Sequence, residues 1–176
     1  MDGQTHFDRL GLPRRFLVDP AELERAYLAH SRDVHPDYHL AGSGADLAAS
    51  LEASASVNEA YNTLRDPFAR AEYLLQLEGG PSASDHKQMP PAFLAEMLDA
   101  REAIELARGK PDAVAKLEAD FRGRFDALMQ QVADNFAGYD RTHVDDPLGP
   151  IVLTQIRGLL NAAKYVRGLL RDLHSD

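Results

Sequence analysis

The sequence predicts an all-α protein made of two helical bodies, and three observations carry that prediction. Apolar residues recur at spacings of three and four along every long patterned stretch, which is the period of a helix with one buried face. No pair of alternating strands occurs. Between residues 79 and 91 the chain reads Gly-Gly-Pro-Ser-Ala-Ser-Asp-His-Lys-Gln-Met-Pro-Pro, and that density of breakers excludes a continuous element. The expected organisation is therefore a first domain over 1–78, a linker over 79–91 and a second domain over 92–176.

The composition suits a globular core: 176 residues, 44% hydrophobic and 27% charged. Charge interrupts each apolar stretch well before the roughly 18 residues needed to cross a bilayer, so no membrane association is expected. Met1 to Leu10 carries Asp2 and Asp8 and shows no apolar run after a basic start. Neither a secretory nor a transit signal is visible there, and a cytoplasmic location is expected. Cysteine is absent, which removes disulfides, thiolate zinc sites, cysteine-ligated clusters and cysteine nucleophiles together. The net charge of -9 disfavours nucleic acid, whose phosphates require clustered Lys and Arg, and points to protein partners.

The first element is a short turn of helix, His6-Phe7-Asp8-Arg9-Leu10, closed by Gly11 and followed by Pro13. Asp19-Pro20-Ala21-Glu22 then opens a long helix, with a side-chain acceptor at the N-cap, Pro at N1 and Glu at N3. Leu23, Ala26, Tyr27, His30 and Val34 form its inner stripe. Pro36 disfavours helical geometry at His35 and ends it. A second long helix is expected from about Ala45 to Arg65, with Leu47, Leu51, Ser54, Val57, Asn58, Tyr61 and Leu64 on one face. Asp66-Pro67 closes it and caps a short helix over Phe68 to Leu77, which Gly79-Gly80 stops.

Beyond the linker, three helical patterns follow. They run from Ala92 to Arg108, from Pro111 to about Ala137 (Leu117, Phe121, Phe125, Leu128, Val132, Phe136) and from about Pro150 to Leu173 (Ile156, Leu160, Ala163, Val166, Leu170, Leu173). Short loops predict an antiparallel three-helix bundle.

The tripeptide His35-Pro36-Asp37 lies between two long amphipathic helices, each flanked by a short one. Phe7-Asp8-Arg9-Leu10-Gly11-Leu12 precedes it, and Asn58-Glu59-Ala60-Tyr61-Asn62-Thr63-Leu64-Arg65-Asp66-Pro67 follows. This whole pattern resembles the J-domain family. In physical terms Pro36 stiffens the loop, so little conformational entropy is lost on docking. His35 offers ring donors or acceptors, and Asp37 accepts from a basic partner such as Arg. The resemblance implies that His35, Pro36 and Asp37 engage a DnaK-type ATPase and trigger its hydrolysis. The chain itself would supply no catalytic group and is expected not to be an enzyme. J-domains usually present a basic run on the preceding helix, but here only Arg25 and Arg32 stand there, among Glu22, Glu24 and Asp33. Weak electrostatic steering toward one dedicated chaperone is the expectation.

No Gly/Phe-rich segment or cysteine zinc module follows. Instead Arg70-Ala71-Glu72-Tyr73-Leu74-Leu75 and Ala92-Phe93-Leu94-Ala95-Glu96-Met97-Leu98-Asp99-Ala100-Arg101-Glu102 are similar to the HscB family of iron-sulfur assembly co-chaperones. The likeness is clear from Phe7 to about Leu106. It implies an HscA-like chaperone and an IscU-type scaffold as partners. Phe93, Met97, Ala100, Ile104 and Ala107 form the stripe that should enter the bundle, with Leu94 and Leu98 beside it. The family pattern carries Leu94, Leu98, Asp99, Glu102 and Tyr165 over as scaffold contacts. Ala95 stands where the family often has a larger apolar residue, which would weaken that contact. The other reading is a J-domain helical adaptor that delivers a different client.

His30, Asp33, His35, Asp37 and His39 are metal-ligand types at short spacing, but Pro36 breaks the i, i+4 register between His35 and His39. A polar loop accounts for them, and neither a metal nor a cofactor is expected. No Gly-x-Ser-x-Gly elbow, phosphate-binding glycine loop or His-Glu-x-x-His helix supports a hydrolase.

Overall fold

The computed structural model describes residues 3–34, 44–86, 89–139 and 148–175. Among them every regular element is a helix: α1 His6–Arg9, α2 Pro20–Asp33, α3 Gly44–Arg65, α4 Pro67–Leu77, α5 Pro91–Ala107, α6 Pro111–Gly138 and α7 Gly149–Leu173. The chain divides into two compact units, Met1–Leu74 and Leu75–Asp176.

In the first unit α1 and α2 begin where the sequence supplies an acceptor. Thr5 and Asp8 form a reciprocal capping box on α1, and the Asp19 carboxylate accepts from the Ala21 amide at 3.0 Å at the start of α2. Leu23 enters the core from α2, and α1 contributes Phe7. The predicted inner face of α3 requires correction. Leu47 and Leu51 are exposed, at 38% and 54%, and Asn58 lies on the surface, whereas Ser50, Val57, Ala60 and Leu64 are buried. The buried stripe is thus turned toward the small residues of this Ala- and Ser-rich helix, which let α2 approach closely. The approach is used: Ser50 and Ser54 both donate through Oγ to the Val34 carbonyl, at 2.7 and 2.9 Å. Two turns away, Tyr27 stacks on Tyr61 with centroids 4.2 Å apart and donates to Asn58 at 2.8 Å.

Arg70 is a buried cation that apolar periodicity does not reveal. Its Nη1 donates to the Leu64 carbonyl at 2.6 Å, and its guanidinium lies 5.1 Å from the Phe16 ring centroid. The arginine therefore ties the end of α3 to α4 and to the segment after α1. Burial lowers its pKa and nearby Asp66 opposes that shift; a guanidinium remains charged throughout.

In the second unit α4 ends in a Schellman motif. Gly79 has φ +73, its amide donates to Gln76 O at 3.1 Å, and the Gly80 amide donates to Leu75 O at 2.9 Å. The bundle core joins Met97, Ala100 and Ile104 of α5, Phe121 of α6, and Val166, Leu169 and Leu173 of α7; Phe93, Leu117, Phe125 and Leu170 pack against it. Burying each large side chain contributes about 1.5–3 kcal/mol.

A polar node is built into α7. Arg157, only 2% exposed, donates through Nε to Asn161 Oδ1 at 3.1 Å, and Asn161 Nδ2 donates to the His86 carbonyl at 2.6 Å. This chain of bonds holds the 81–86 segment against α7. Asn161→Leu removes a partner from a buried Arg and a part-buried carbonyl together, and is expected to cost about 1–3 kcal/mol. Urea denaturation measures the loss, and amide exchange of residues 82–86 should rise with it; unchanged exchange would refute the tether.

A second prediction concerns pH. His6 stacks on Tyr73 with centroids 4.2 Å apart, its amide donates to Tyr73 Oη at 2.9 Å, and its buried Nδ1 has no hydrogen-bond partner. Burial lowers the His6 pKa, against an opposing pull from Glu59 and with a smaller push from Arg9. The folded state thus holds fewer protons than the unfolded chain between the lowered value and the ordinary one of about 6.5. The stability from neutral His6 is fully present above about pH 6.5 and is lost as pH falls below it. Between pH 7.5 and 5.5 the wild type should lose more thermal stability than His6→Phe, which keeps the stack; equal losses would refute the assignment.

Candidate functional site

The residues singled out by the sequence fall into two groups, one in each unit. In the first unit Arg25 and Arg32 are both exposed on α2. At roughly 100° per residue they share one face with Leu28 and Ala29, opposite buried Leu23. Arg25 Nε donates to the Ala21 carbonyl at 3.1 Å, which lays its side chain back along the helix. The acids Glu22, Glu24 and Asp33 flank this face, so its positive potential is local. His35, Pro36 and Asp37 lie outside the described residues. The residue before them, Val34, receives the hydroxyls of Ser50 and Ser54 and caps the end of α2, its amide donating to His30 O at 3.2 Å.

In the second unit, α5 separates two roles around its circumference. Met97, Ala100, Ile104 and Ala107 are buried and Phe93 packs beside them. Leu94 and Leu98 point away from that stripe and are 41% and 66% exposed. Asp99 and Glu102 are exposed further round the helix, as is Ala95. The result is an apolar ridge edged by carboxylates. Tyr165 on α7 is 44% exposed and meets Phe93 edge to face, with centroids 6.0 Å apart. Phe93 thus joins core and surface: one side packs into the bundle, and its ring sets the position of Tyr165. Leu106, also exposed at 66%, was not singled out by the sequence pattern; its signal was an apolar residue off the inner stripe.

The described residues contain no group of three or more His, Asp or Glu arranged to hold a metal ion. Nor do they contain a helix long and apolar enough to cross a membrane. The surface features are suited to protein recognition: an exposed apolar ridge with an acidic border, and a helix face carrying two cations.

The architecture defines a class first, a J-domain followed by a C-terminal three-helix bundle. Solved structures share it along nearly the whole chain. The chaperone HscB from Vibrio cholerae superposes with a TM-score of 0.79 over 97% of this chain and 95% of that one, at 25% identity. The human co-chaperone HscB superposes with a TM-score of 0.83 over 98% of this chain and 82% of that one, at 26% identity. Residues 89–173 match the family described as the HSCB C-terminal oligomerisation domain. A co-chaperone protein HscB homolog of Chromobacterium violaceum is 40% identical over 73% of this chain and 74% of its own length. Another, of Ralstonia nicotianae, is 40% identical over 80% and 83%. The chain belongs to the HscB co-chaperone family.

Because Leu94 and Leu98 lie outside the core, replacing both with Ala should leave stability within about 1 kcal/mol of wild type. Urea denaturation checks this, and a loss of 3 kcal/mol or more would mean that the ridge is structural.

Proposed function

We propose that the protein stimulates ATP hydrolysis by a dedicated DnaK-type, HscA-like chaperone and presents to it an IscU-type iron-sulfur scaffold, promoting cluster transfer. Chaperone engagement is assigned to His35, Pro36 and Asp37, with Arg25 and Arg32 on the adjoining helix. Scaffold binding is assigned to Leu94, Leu98, Asp99, Glu102 and Tyr165. The protein acts as an activator, with the hydrolytic groups on the chaperone, and works in the cytoplasm as a domain of 1–78, a linker and a bundle of 92–176. The iron-sulfur cluster is cargo and stays with the scaffold.

The single observation that carries the reading is the exposure of Leu94 and Leu98 on a helix whose opposite stripe already fills the core. Exposed Leu residues one turn apart, bordered by Asp99 and Glu102, have the make-up of an interface centre with a charged rim. Membership of the HscB family supplies the partner classes. Sparse positive charge on α2 favours recognition by one partner over broad electrostatic capture.

The test is the ATP turnover of the cognate DnaK-type chaperone, measured with this protein and scaffold. Wild type should stimulate turnover and His35→Gln should not; equal stimulation would overturn the chaperone assignment. Separately, Leu94→Ala with Leu98→Ala should weaken scaffold binding at least tenfold, about 1.4 kcal/mol. Unchanged affinity by calorimetry would overturn the scaffold assignment.

A further inference from the structure

A cavity of about 400 Å3 opens between α5, α7 and the segment ahead of α5, entirely within the second unit. Its floor is apolar: Met97 and Leu169, both buried, with Met89 and Ala83 at the side. Its α7 wall is one helical face. Asn161, then the pair Lys164 and Tyr165, then Gly168 and Arg171 recur at spacings of three and four, and all line the cavity. Gly168 occupies the middle of that face, and a Cβ built there meets nothing within 4 Å. The missing side chain therefore leaves open space at this part of the surface.

Of the three cations on the rim, one is paired and two are not. Arg171 lies 3.7 Å from Asp172, which also lines the cavity. Arg101 and Lys164 form no ion pair among the described residues. Two free cations beside an apolar floor stand out on a chain with 28 acidic and 19 basic residues. Around α5, at roughly 100° per residue, Arg101 falls between the buried Met97 and the exposed Leu94 and Leu98. Tyr165 lines the cavity and meets Phe93, the residue before Leu94 on α5. The cavity thus continues the ridge and reverses its sign of charge, positive here where Asp99 and Glu102 are negative.

We propose that this cavity receives an acidic side chain of the partner that docks on the Leu94–Leu98 ridge, its carboxylate between Arg101 and Lys164 and its methylenes on Met97 and Leu169. The identity of the occupant rests on the scaffold reading above; the chemistry of the site does not. A partner that satisfies both borders carries basic residues opposite Asp99 and Glu102 and an acidic one opposite Arg101. Such alternation fixes register as well as affinity, because a shifted partner meets like charge.

The site chemistry is tested with hexanoate, a carboxylate on a short apolar body, followed by amide shifts in two-dimensional NMR of the full chain. Hexanoate should cause saturable shifts at Arg101, Lys164 and Gly168 in the millimolar range, and hexanol should shift them at least fivefold less. Gly168→Leu fills the hollow and replaces a helix-interior glycine with a better helix former, so it should fold and lose the response. Arg101→Gln with Lys164→Gln should lose it too. Absence of saturation, equal response to hexanol, or an undiminished response in folded Gly168→Leu or in the double variant would overturn the site. For the occupant, scaffold affinity should fall at least fivefold in the double variant while Leu94 and Leu98 remain. Unchanged affinity overturns the assignment to the scaffold, as does a wild type that binds no scaffold, and the hexanoate titration still decides the site itself.

Discussion

A helix in a three-helix bundle can bury only one stripe, and the chemistry of the second unit depends on how α5 meets that constraint. Met97, Ala100, Ile104 and Ala107 complete the core with Phe121 of α6 and Val166 of α7. The apolar residues left over, Leu94 and Leu98, have no place inside and stand in water. Their exposure opposes the hydrophobic effect by about 1–2 kcal/mol per side chain relative to burial, a cost that a partner covering them would recover. The same geometry places Arg101 at the shoulder between stripe and ridge, beside the hollow at Gly168. One packing choice therefore produces an apolar ridge, its acidic border and a cationic recess.

The two units use buried polar groups for a common purpose, to fix segments that apolar packing alone would leave loose. Arg70 joins α4 to the Leu64 carbonyl at the end of α3 and to the Phe16 ring. Arg157 and Asn161 bind the segment ahead of α5 through the His86 carbonyl. In each case the cation lies nearly out of solvent but has directional partners, the condition under which burial of a polar group is tolerated. Ser50 and Ser54 do the same for the carbonyl of Val34, the residue that follows α2.

Much of the fold was legible because its signals are local. Asp19-Pro20 and Asp66-Pro67 mark helix starts, Gly79-Gly80 marks a stop, and the three- and four-residue spacing of Phe121, Val132, Ile156 and Val166 marks faces. On α3 hydrophobicity points Leu47 and Leu51 inward, and the structure leaves both exposed. The actual face is lined by Ser50, Val57 and Ala60, since a close helix contact favours small residues over hydrophobic ones. Arg70, Arg157 and Asn161 escaped for the opposite reason: polarity predicts a surface position, and only their partners across the fold make burial tolerable.

By itself the sequence determined the all-helical class, the helix limits and the likeness to the HscB family, because caps, breakers and periodicity act within a few residues along the chain. Tertiary structure decided which apolar side chains were left over and which charges lay side by side. Leu98 and Met97 are neighbours in sequence and of similar hydrophobicity, yet one is exposed and the other buried. The recess between Arg101, Lys164 and Gly168 joins residues more than sixty positions apart. No local rule can place such groups together, because their proximity follows from how α5 docks on α7 and not from the preferences of either helix.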